Sequence, residues 1–380
     1  MPYLKAACGL LCFLILASNV WSMSRWNEAR GVYDDVCYLR QAHLFKRFGL
    51  GGLDTNISRD DDHYLSAKLK EIGYPTWSDP ATAPCHTMPA SKKLVMQYPP
   101  GTGFVLALFP QGFQVVPLYV LATVIVFGFA LLGISYARST SSVVLTAAFG
   151  CLAIYLMINP AKASYSMAPT MVSCVLAGFF TARLFAAGLW RDKVLLAALV
   201  GFLIGLAVNF RLPNLFLSSG YFLFFLGSFL MRPKIESFLQ GTLFGAGFLA
   251  GVAPTLTANA INAGSPFSTT YGGADTAPPE LNAAVLLSYV ADMQFVLLVL
   301  AGVCTVLTLR WSRGNGQTQV ALVTAINLLV NLAFFMSHPV FTPYYTIPIA
   351  MLSLWSLLFA SLMQPAEAVD GGLVGQAAKA

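Results

Sequence analysis

Residues 117–136, PLYVLATVIVFGFALLGISY, include no charged side chain in 20 consecutive positions. An α-helix rises about 1.5 Å per residue, so a helix over this stretch is about 30 Å long and matches the hydrocarbon core of a bilayer. A helix also satisfies its backbone amides internally, which that core demands. The stretch therefore predicts a transmembrane helix.

The rest of the chain repeats this pattern. Of its 380 residues 57% are hydrophobic and only 10% are charged, and the mean hydropathy is +0.69. These values exclude an ordinary water-soluble domain. We predict an all-α polytopic membrane protein with about ten transmembrane helices. The predicted spans are residues 4–21, 117–136, 143–158, 169–186, 194–210, 213–230, 238–258, 284–309, 320–337 and 343–363.

The spacing of the apolar runs divides the chain into four parts. Residues 1–21 are predicted to be the first transmembrane helix, 22–116 a polar loop with surface helices, 117–363 a helix bundle and 364–380 a tail. The first run is short and contains Lys5 near its start, as in a cleaved signal peptide. Because the small-residue cleavage pattern that follows it is poor, we favour a retained helix.

The basic residues predict the orientation. Formal net charge is +6, but these residues are scattered between the apolar runs, which argues against a nucleic-acid partner. Cytoplasmic loops carry an excess of Lys and Arg, so we predict cytoplasmic termini in the cytoplasmic membrane and an outer first loop. The expected cytoplasmic charges are Lys5, Arg138, Arg183, Arg191, Lys193, Arg232, Lys234, Arg310, Arg313 and Lys379, against Lys162 and Arg211 in the short outer loops.

Two cysteines lie in the polar loop, Cys37 and Cys85, and the other five lie in apolar runs. In an oxidising compartment the two could form a disulfide, although two free thiols fit the sequence equally well. No CxxC spacing points to a metal site.

The polar loop opens with YDDVCYLRQAHLFKRFG at residues 33–49. Its apolar residues recur at near-helical spacing with Arg40 and Gln41 between them, which predicts an amphipathic helix on the outer membrane surface. Asp34 and Asp35 fall at the start of this helix. Such acids are often only caps that complement the helix dipole, so by themselves they do not define a site.

A second motif, QYPPGTG at residues 97–103, precedes a short apolar stretch. Two prolines fix the backbone and a following glycine releases it, so we predict a turn leading into a segment that lies along or re-enters the membrane. Further on, glycines at helical spacing predict close helix packing. These are Gly201, Gly205, Gly241, Gly245, Gly247 and Gly251.

Taken in order, these motifs resemble the GT-C superfamily of membrane glycosyltransferases, which includes the protein O-mannosyltransferases and the lipid A aminoarabinose transferases. Asp34, Asp35 and Tyr38 match the acidic pair and tyrosine that follow the first helix in that family. Residues 98–101 match its Pro-Pro motif. RLPN at residues 211–214 looks like the Arg-Pro corner between two central helices, and GSPF at 264–267 with Tyr271 looks like a late outer loop.

The resemblance implies a fold, a reaction and partners. The reaction is sugar transfer from a polyprenyl-phosphate donor to a lipid, glycan or protein acceptor at the outer face of the membrane. It implies Asp34 or Asp35 as the base that takes the acceptor proton, with Asp34 favoured. Arg211 is the candidate for the donor phosphate, because a guanidinium grips phosphate oxygens with two bonds; the alternative is an arginine that snorkels to the interface.

The chain departs from the family in its last outer loop, residues 338–345. Many relatives have an Arg beside a Tyr there, whereas this loop contains Tyr344 but no arginine. His338 is the candidate replacement. We therefore count Tyr38, Tyr98, Arg211, Tyr271, Asp292, His338 and Tyr344 as candidate substrate-binding residues.

Two other acidic positions need separate interpretation. Asp292 lies inside the predicted span 284–309, where an ionised carboxylate is costly, so it is expected to face the central cavity, pair with Arg211 or reach the interface. Asp60, Asp61 and Asp62, followed by His63, suggest metal ligands, but no ligand spacing is present and a solvated acidic turn is favoured. No cofactor is predicted, with a divalent metal left open.

A different class of function competes with the enzyme. A transporter or flippase for a lipid-linked glycan or a small solute needs polar residues within the membrane, and the sequence offers few besides Asp292 and Asn209. No internal repeat supports inverted halves. A third alternative is a family member that binds lipid-linked glycan without turnover.

Overall fold

A computed structural model describes residues 1–30, 33–79, 84–157, 164–272, 278–312, 314–341 and 344–363. The predicted tail, residues 364–380, lies outside this part of the chain, as do Lys162 and Arg313. Within it the fold is all-α. The helices are α1 (Pro2–Met23), α2 (Tyr33–Phe48), α3 (Tyr64–Glu71), α4 (Gly101–Ala107), α5 (Val115–Tyr136), α6 (Thr140–Tyr155), α7 (Met167–Ala186), α8 (Trp190–Val208), α9 (Ser219–Met231), α10 (Ile235–Ala263), α11 (Ala283–Ala291), α12 (Met293–Trp311), α13 (Asn315–Ser337) and α14 (Ile347–Leu362).

Seven segments of the described chain are long and apolar enough to cross a membrane: α1, α5, α7, α10, α12, α13 and the 3₁₀ turn Leu212–Ser218 continued by α9. Helices α6 and α14 are also apolar but have only 16 residues each. Helix α8 carries three charged residues in its first turn, at positions 191–193. The chain is therefore a multi-pass membrane protein, with seven such segments where the sequence predicts ten.

Short elements connect the first two apolar helices. The 3₁₀ turns Glu28–Arg30, Gly49–Leu53 and Ile57–Arg59 accompany α2 and α3, and two strands, His86–Thr87 and Val95–Met96, pair antiparallel. Their small size means that this region depends on packing, a disulfide and ion pairs for its shape, since two-stranded ribbons are marginal alone.

Helix α2 forms where the periodicity predicts it, but its environment differs from the prediction. Arg40 and Gln41 are fully buried rather than facing water. Helix α4 packs across α2 so closely that a Cβ on Gly103 would lie 2.6 Å from the Gln41 side chain. The middle of α2 is thus enclosed by its own loop and by α4.

The closest helix pair is α8 against α10, and glycine makes it so. A Cβ on Gly201 or Gly205 would collide with the carbonyl oxygens of Phe244 or Phe248. Gly247 and Gly251 play the same part from α10 toward α8, so the packing prediction is confirmed for these four. Gly241 and Gly245 approach only side chains of α9 and allow no backbone contact.

This packing fixes the end of α8, where the chain turns. The Asn209 amide donates to the Gly251 carbonyl at 2.6 Å, and its side-chain oxygen accepts from Thr255. The next residue but one is Arg211. The helix pair therefore holds this arginine at a defined place beside the start of α7.

Candidate functional site

The acidic pair at the start of α2 splits into two roles. Asp35 is almost fully buried, and its carboxylate accepts a hydrogen bond of 3.1 Å from the backbone N–H of Tyr165. Asp34 is half-buried and lines a cavity of about 200 Å³. Consecutive helix residues point about 100° apart, which is why one acid anchors the loop before α7 and the other faces open space.

Three tyrosines stand together beside Asp34. The ring of Tyr38, one turn along α2, stacks on that of Tyr98 with centroids 4.9 Å apart, and Tyr271 meets Tyr98 edge-on at 6.2 Å. Burial and then the charge of Asp34 raise the pKa of Tyr98, and burial raises that of Tyr38. Both phenols are therefore neutral hydrogen-bond donors at physiological pH.

The Pro-Pro turn explains how Tyr98 reaches this place. The backbone N–H of Gly101 donates to the Asn209 carbonyl at 2.7 Å, and a Cβ at Gly101 would collide with that backbone. The Thr102 hydroxyl donates to the Phe210 carbonyl at 3.3 Å. The motif therefore docks on the end of α8, next to Arg211.

Arg211 is the cation of the cavity. It is only 6% exposed, and its guanidinium lies 4.8 Å from the ring centre of Tyr344 and 4.5 Å from that of Tyr345. Its guanidinium also contacts the Met167 side chain at the start of α7, and it lines the same cavity as Asp34. A buried guanidinium at the edge of a cavity is suited to bind an anion there, because charge-assisted hydrogen bonds offset the cost of its burial.

Tyr344 adopts an uncommon backbone conformation to cover Arg211. Its φ is +62°, in the left-handed region that a bulky residue rarely enters. Burial raises its pKa to about 12, against the opposing charge of Arg211. Such backbone outliers concentrate at functional sites, where the surrounding structure holds them.

The cavity thus collects six of the nine predicted site residues from five separate parts of the chain: Asp34, Tyr38, Tyr98, Arg211, Tyr271 and Tyr344. Ser164 and Ser166, whose hydroxyls lie 3.0 Å apart, line it as well. Neither serine could be recognised in the sequence, because no motif marks them. Tyr33, Cys85, Gln97, Pro213 and Tyr345 complete the lining.

A second, apolar groove borders the cavity. It has a volume of about 480 Å³, runs between α8, α10 and the end of α13, and shares Pro213, Tyr271 and Tyr345 with the cavity. His338 lines this groove and not the cavity, with its Nδ1 bonded to the backbone of Val340. The predicted replacement for the missing arginine is therefore beside the groove and away from Arg211's immediate contacts.

Asp292 takes neither of the two cavity positions expected for it, and its reach to the interface stays a prediction. The predicted span 284–309 is broken there into α11 and α12, and the Asp292 carboxylate caps α12 by accepting from the Gln294 backbone N–H at 2.9 Å. It neither lines the cavity nor forms an ion pair with Arg211. An aspartate stabilises exposed helix N-terminal amides, which is the physical reason for the break.

The three acids of the turn before α3 are bonded to basic side chains of α2. Asp60 lies 3.5 Å from the buried Arg40, Asp61 bonds Arg47 at 2.7 Å and Asp62 bonds His43 at 2.6 Å. The turn is thus ion-paired rather than simply solvated.

A disulfide links the same helix to the cavity wall. Cys37 of α2 is bonded to Cys85, which answers the question that the sequence left open. Beside it, burial and then the charge of Arg40 lower the pKa of His86 to about 3. The Arg40 guanidinium lies 3.0 Å from His86 Nε2 and donates to the carbonyls of Thr55 and Asn56. This network, which the sequence analysis missed, holds the cavity wall against α2.

The chemical inventory of the site is one carboxylate, one guanidinium and a ring of hydroxyls. Among the residues that the structure describes, no group of three or more His, Cys, Asp or Glu side chains could hold a metal ion. Comparison of the chain with protein-family models, with curated proteins and with solved structures finds no match. Its function must therefore be argued from the site itself.

Proposed function

We propose that this chain is a GT-C type glycosyltransferase that moves a sugar from a polyprenyl-phosphate donor to a lipid, glycan or protein acceptor. The observation that carries the proposal is the buried Arg211, which shares one cavity with Asp34. A carboxylate base and a phosphate-binding cation are the two groups that this reaction needs.

The cavity and the groove together suit an amphipathic donor. The donor phosphate would lie against Arg211, and the polyprenyl chain would follow the apolar groove that begins at Pro213 and Tyr345. The cavity of about 200 Å³ is smaller than a pocket for a drug-sized ligand and suits one sugar ring among tyrosines. Hydroxyls of Tyr98 and Tyr271 would bond the sugar.

The proposed step is a displacement at the anomeric carbon. The acceptor hydroxyl gives its proton to the Asp34 carboxylate as its oxygen forms the new glycosidic bond. The bond between the anomeric carbon and the phosphate oxygen breaks, and its electron pair leaves on the phosphate. Arg211 compensates the charge that develops there, so the products are the glycosylated acceptor and polyprenyl phosphate.

The topology proposed with this function has about ten spans, cytoplasmic termini and the cavity at the outer face of the cytoplasmic membrane. Two short apolar helices and α8 would add three crossings to the seven that are long and apolar enough. The basic residues of the short loops support this orientation.

The transporter alternative receives less support from the same residues. The two intramembrane polar residues that it would use, Asn209 and Asp292, are engaged with backbone groups and lie outside the cavity lining. A substrate path needs polar groups that face open space.

The test is mass spectrometry of cell-envelope glycans and glycolipids from cells with the gene, without it, and with D34N. We expect one glycosylated species to disappear with the gene and to fall about 10²–10⁴-fold with D34N, as for loss of a general base. D61N, in the same loop with its carboxylate 65% exposed, is the matched control and should restore the species fully. A normal product level from D34N would contradict the proposal.

A further inference from the structure

A second and larger cavity lies at the other end of the helices that carry the site. It measures about 1060 Å³ and is lined where α1 begins, α7 ends and α8 begins. Helix α7 extends from one cavity to the other. Its first residue, Met167, contacts Arg211, and Arg183 in its last turn lines the larger cavity. Sixteen helical residues rise about 24 Å, so the two cavities are separate.

Cations from three segments converge on this cavity. Lys5 comes from α1, Arg138 from the turn between α5 and α6, and Arg183 from α7, whereas the lining contains one acid, Asp192. Lys5 donates to the Ser135 carbonyl at 2.8 Å. Within the described ranges neither arginine makes an ion pair, although Asp192 lines the same space. Like charges gathered around one space favour an anion within it.

The remaining lining identifies the kind of anion. Leu195, Leu196 and Leu362 line the cavity together with the cations, and Leu195 is 67% exposed. A small soluble anion gains nothing from exposed leucines. An anion attached to hydrocarbon buries them, as a membrane lipid does when its phosphate lies at the helix ends and its acyl chains lie along the bundle.

We propose that this cavity binds the phosphate group of an anionic phospholipid from the surrounding leaflet, with Arg138 and Arg183 as its main ligands. The lipid would bridge the ends of α1, α7 and α8 and stabilise their packing by binding only to the folded chain. The proposal does not depend on the reaction at the opposite end.

The experiment uses the full-length protein, purified in detergent and stripped of lipid, with thermal unfolding as the readout. Three additions are compared: phosphatidylglycerol, phosphatidylcholine and inorganic phosphate. We expect the wild type to be stabilised at low concentrations of phosphatidylglycerol only. Equal stabilisation by phosphatidylcholine, or by inorganic phosphate, would overturn the assignment to an anionic lipid.

Variants locate the binding. Each basic side chain near a membrane surface contributes roughly a fivefold change in affinity for an anionic lipid. The R138Q/R183Q variant should therefore need about 25-fold more phosphatidylglycerol for the same stabilisation, and R138Q alone, a milder change if the double variant folds poorly, about fivefold more. R232Q/K234Q removes two exposed cations from the turn between α9 and α10, outside the cavity lining, and should behave as wild type. An equal loss in that control would show diffuse surface attraction and overturn the proposed site.

Discussion

Two acidic clusters stand on the same loop and do different things. Asp60, Asp61 and Asp62 attract attention in the sequence, yet each is bonded to a basic side chain of α2. Asp34 is less conspicuous, but it lines a cavity that also contains a buried arginine. In this loop the cluster with the highest charge density, Asp60 to Asp62, ties the turn before α3 to α2 and so has a structural role. The candidate site is instead at the acid that lines a cavity, Asp34.

The cation of the cavity should give a large loss of activity, of the same order as that expected for Asp34. R211A should lower sugar transfer by about 10²–10³-fold, the usual cost of removing a group that stabilises developing charge. R211K keeps the charge but loses the two-bond grip on phosphate, so its activity should lie between those of R211A and the wild type. Transfer rates in membrane vesicles, with thermal unfolding as a folding check, measure this. If R211A folds and transfers sugar at the wild-type rate, Arg211 has no role in the reaction.

Substitutions in the acidic turn, Asp60 to Asp62, should change the stability of the protein rather than its activity. D60N leaves the Arg40 guanidinium, which is 0% exposed, without its ion-pair partner. Loss of one member of a buried pair lowers the free energy of unfolding by about 3 kcal/mol. Thermal unfolding of the purified protein measures the loss, and an unchanged unfolding temperature would mean that Arg40 is held by its carbonyl acceptors alone.

The His86 network predicts a pH dependence. The pKa of this buried imidazole is lowered to about 3, from an ordinary value of 6.5, so the unfolded chain binds the proton first as the pH falls. Its contribution is therefore intact above pH 6.5 and is lost toward pH 3, by at most about 1.4 kcal/mol per pH unit. H86Q should flatten the fall in unfolding temperature between pH 6.5 and pH 4. An identical slope in H86Q would show that other groups cause it.

The smallest effect on stability and on transfer is expected at Asp61, the most exposed acid of this turn. Asp61 pairs with Arg47, and its carboxylate is 65% exposed, so water and salt screen the pair. D61N should leave both the unfolding temperature and sugar transfer within error of the wild type. A clear loss of either would mean that the three acids of the turn act together, and it would contradict the distinction between their structural role and the catalytic role proposed for Asp34.

Much of the fold could be predicted because apolar runs report membrane helices directly. The spacing of the glycines in α8 and α10 also predicted that these two helices pack closely, since only small residues allow two backbones to approach. Asp292 shows the limit: within a long apolar run, one capping carboxylate ends a helix, and local periodicity gives no weight to a single residue.

The site was partly predictable, because motif order suggested which segments meet. Arg40 could not be placed, since its partners Thr55, Asn56 and His86 are 15 to 46 positions away and periodicity carries no information across a loop. Ser164 and Ser166 reach the cavity through a tertiary contact, the hydrogen bond of the intervening Tyr165 N–H to Asp35, which lies 130 positions away.

The most direct test of the account measures two variants side by side, D34N and D60N, for transfer rate and unfolding temperature in the same preparation. We predict that D34N loses at least about 100-fold in transfer at an unchanged unfolding temperature. We expect D60N to unfold at a lower temperature and to transfer sugar normally at temperatures well below its unfolding. Normal transfer by D34N together with a catalytic loss in folded D60N would contradict the central claim that the cavity at Asp34 is the active site.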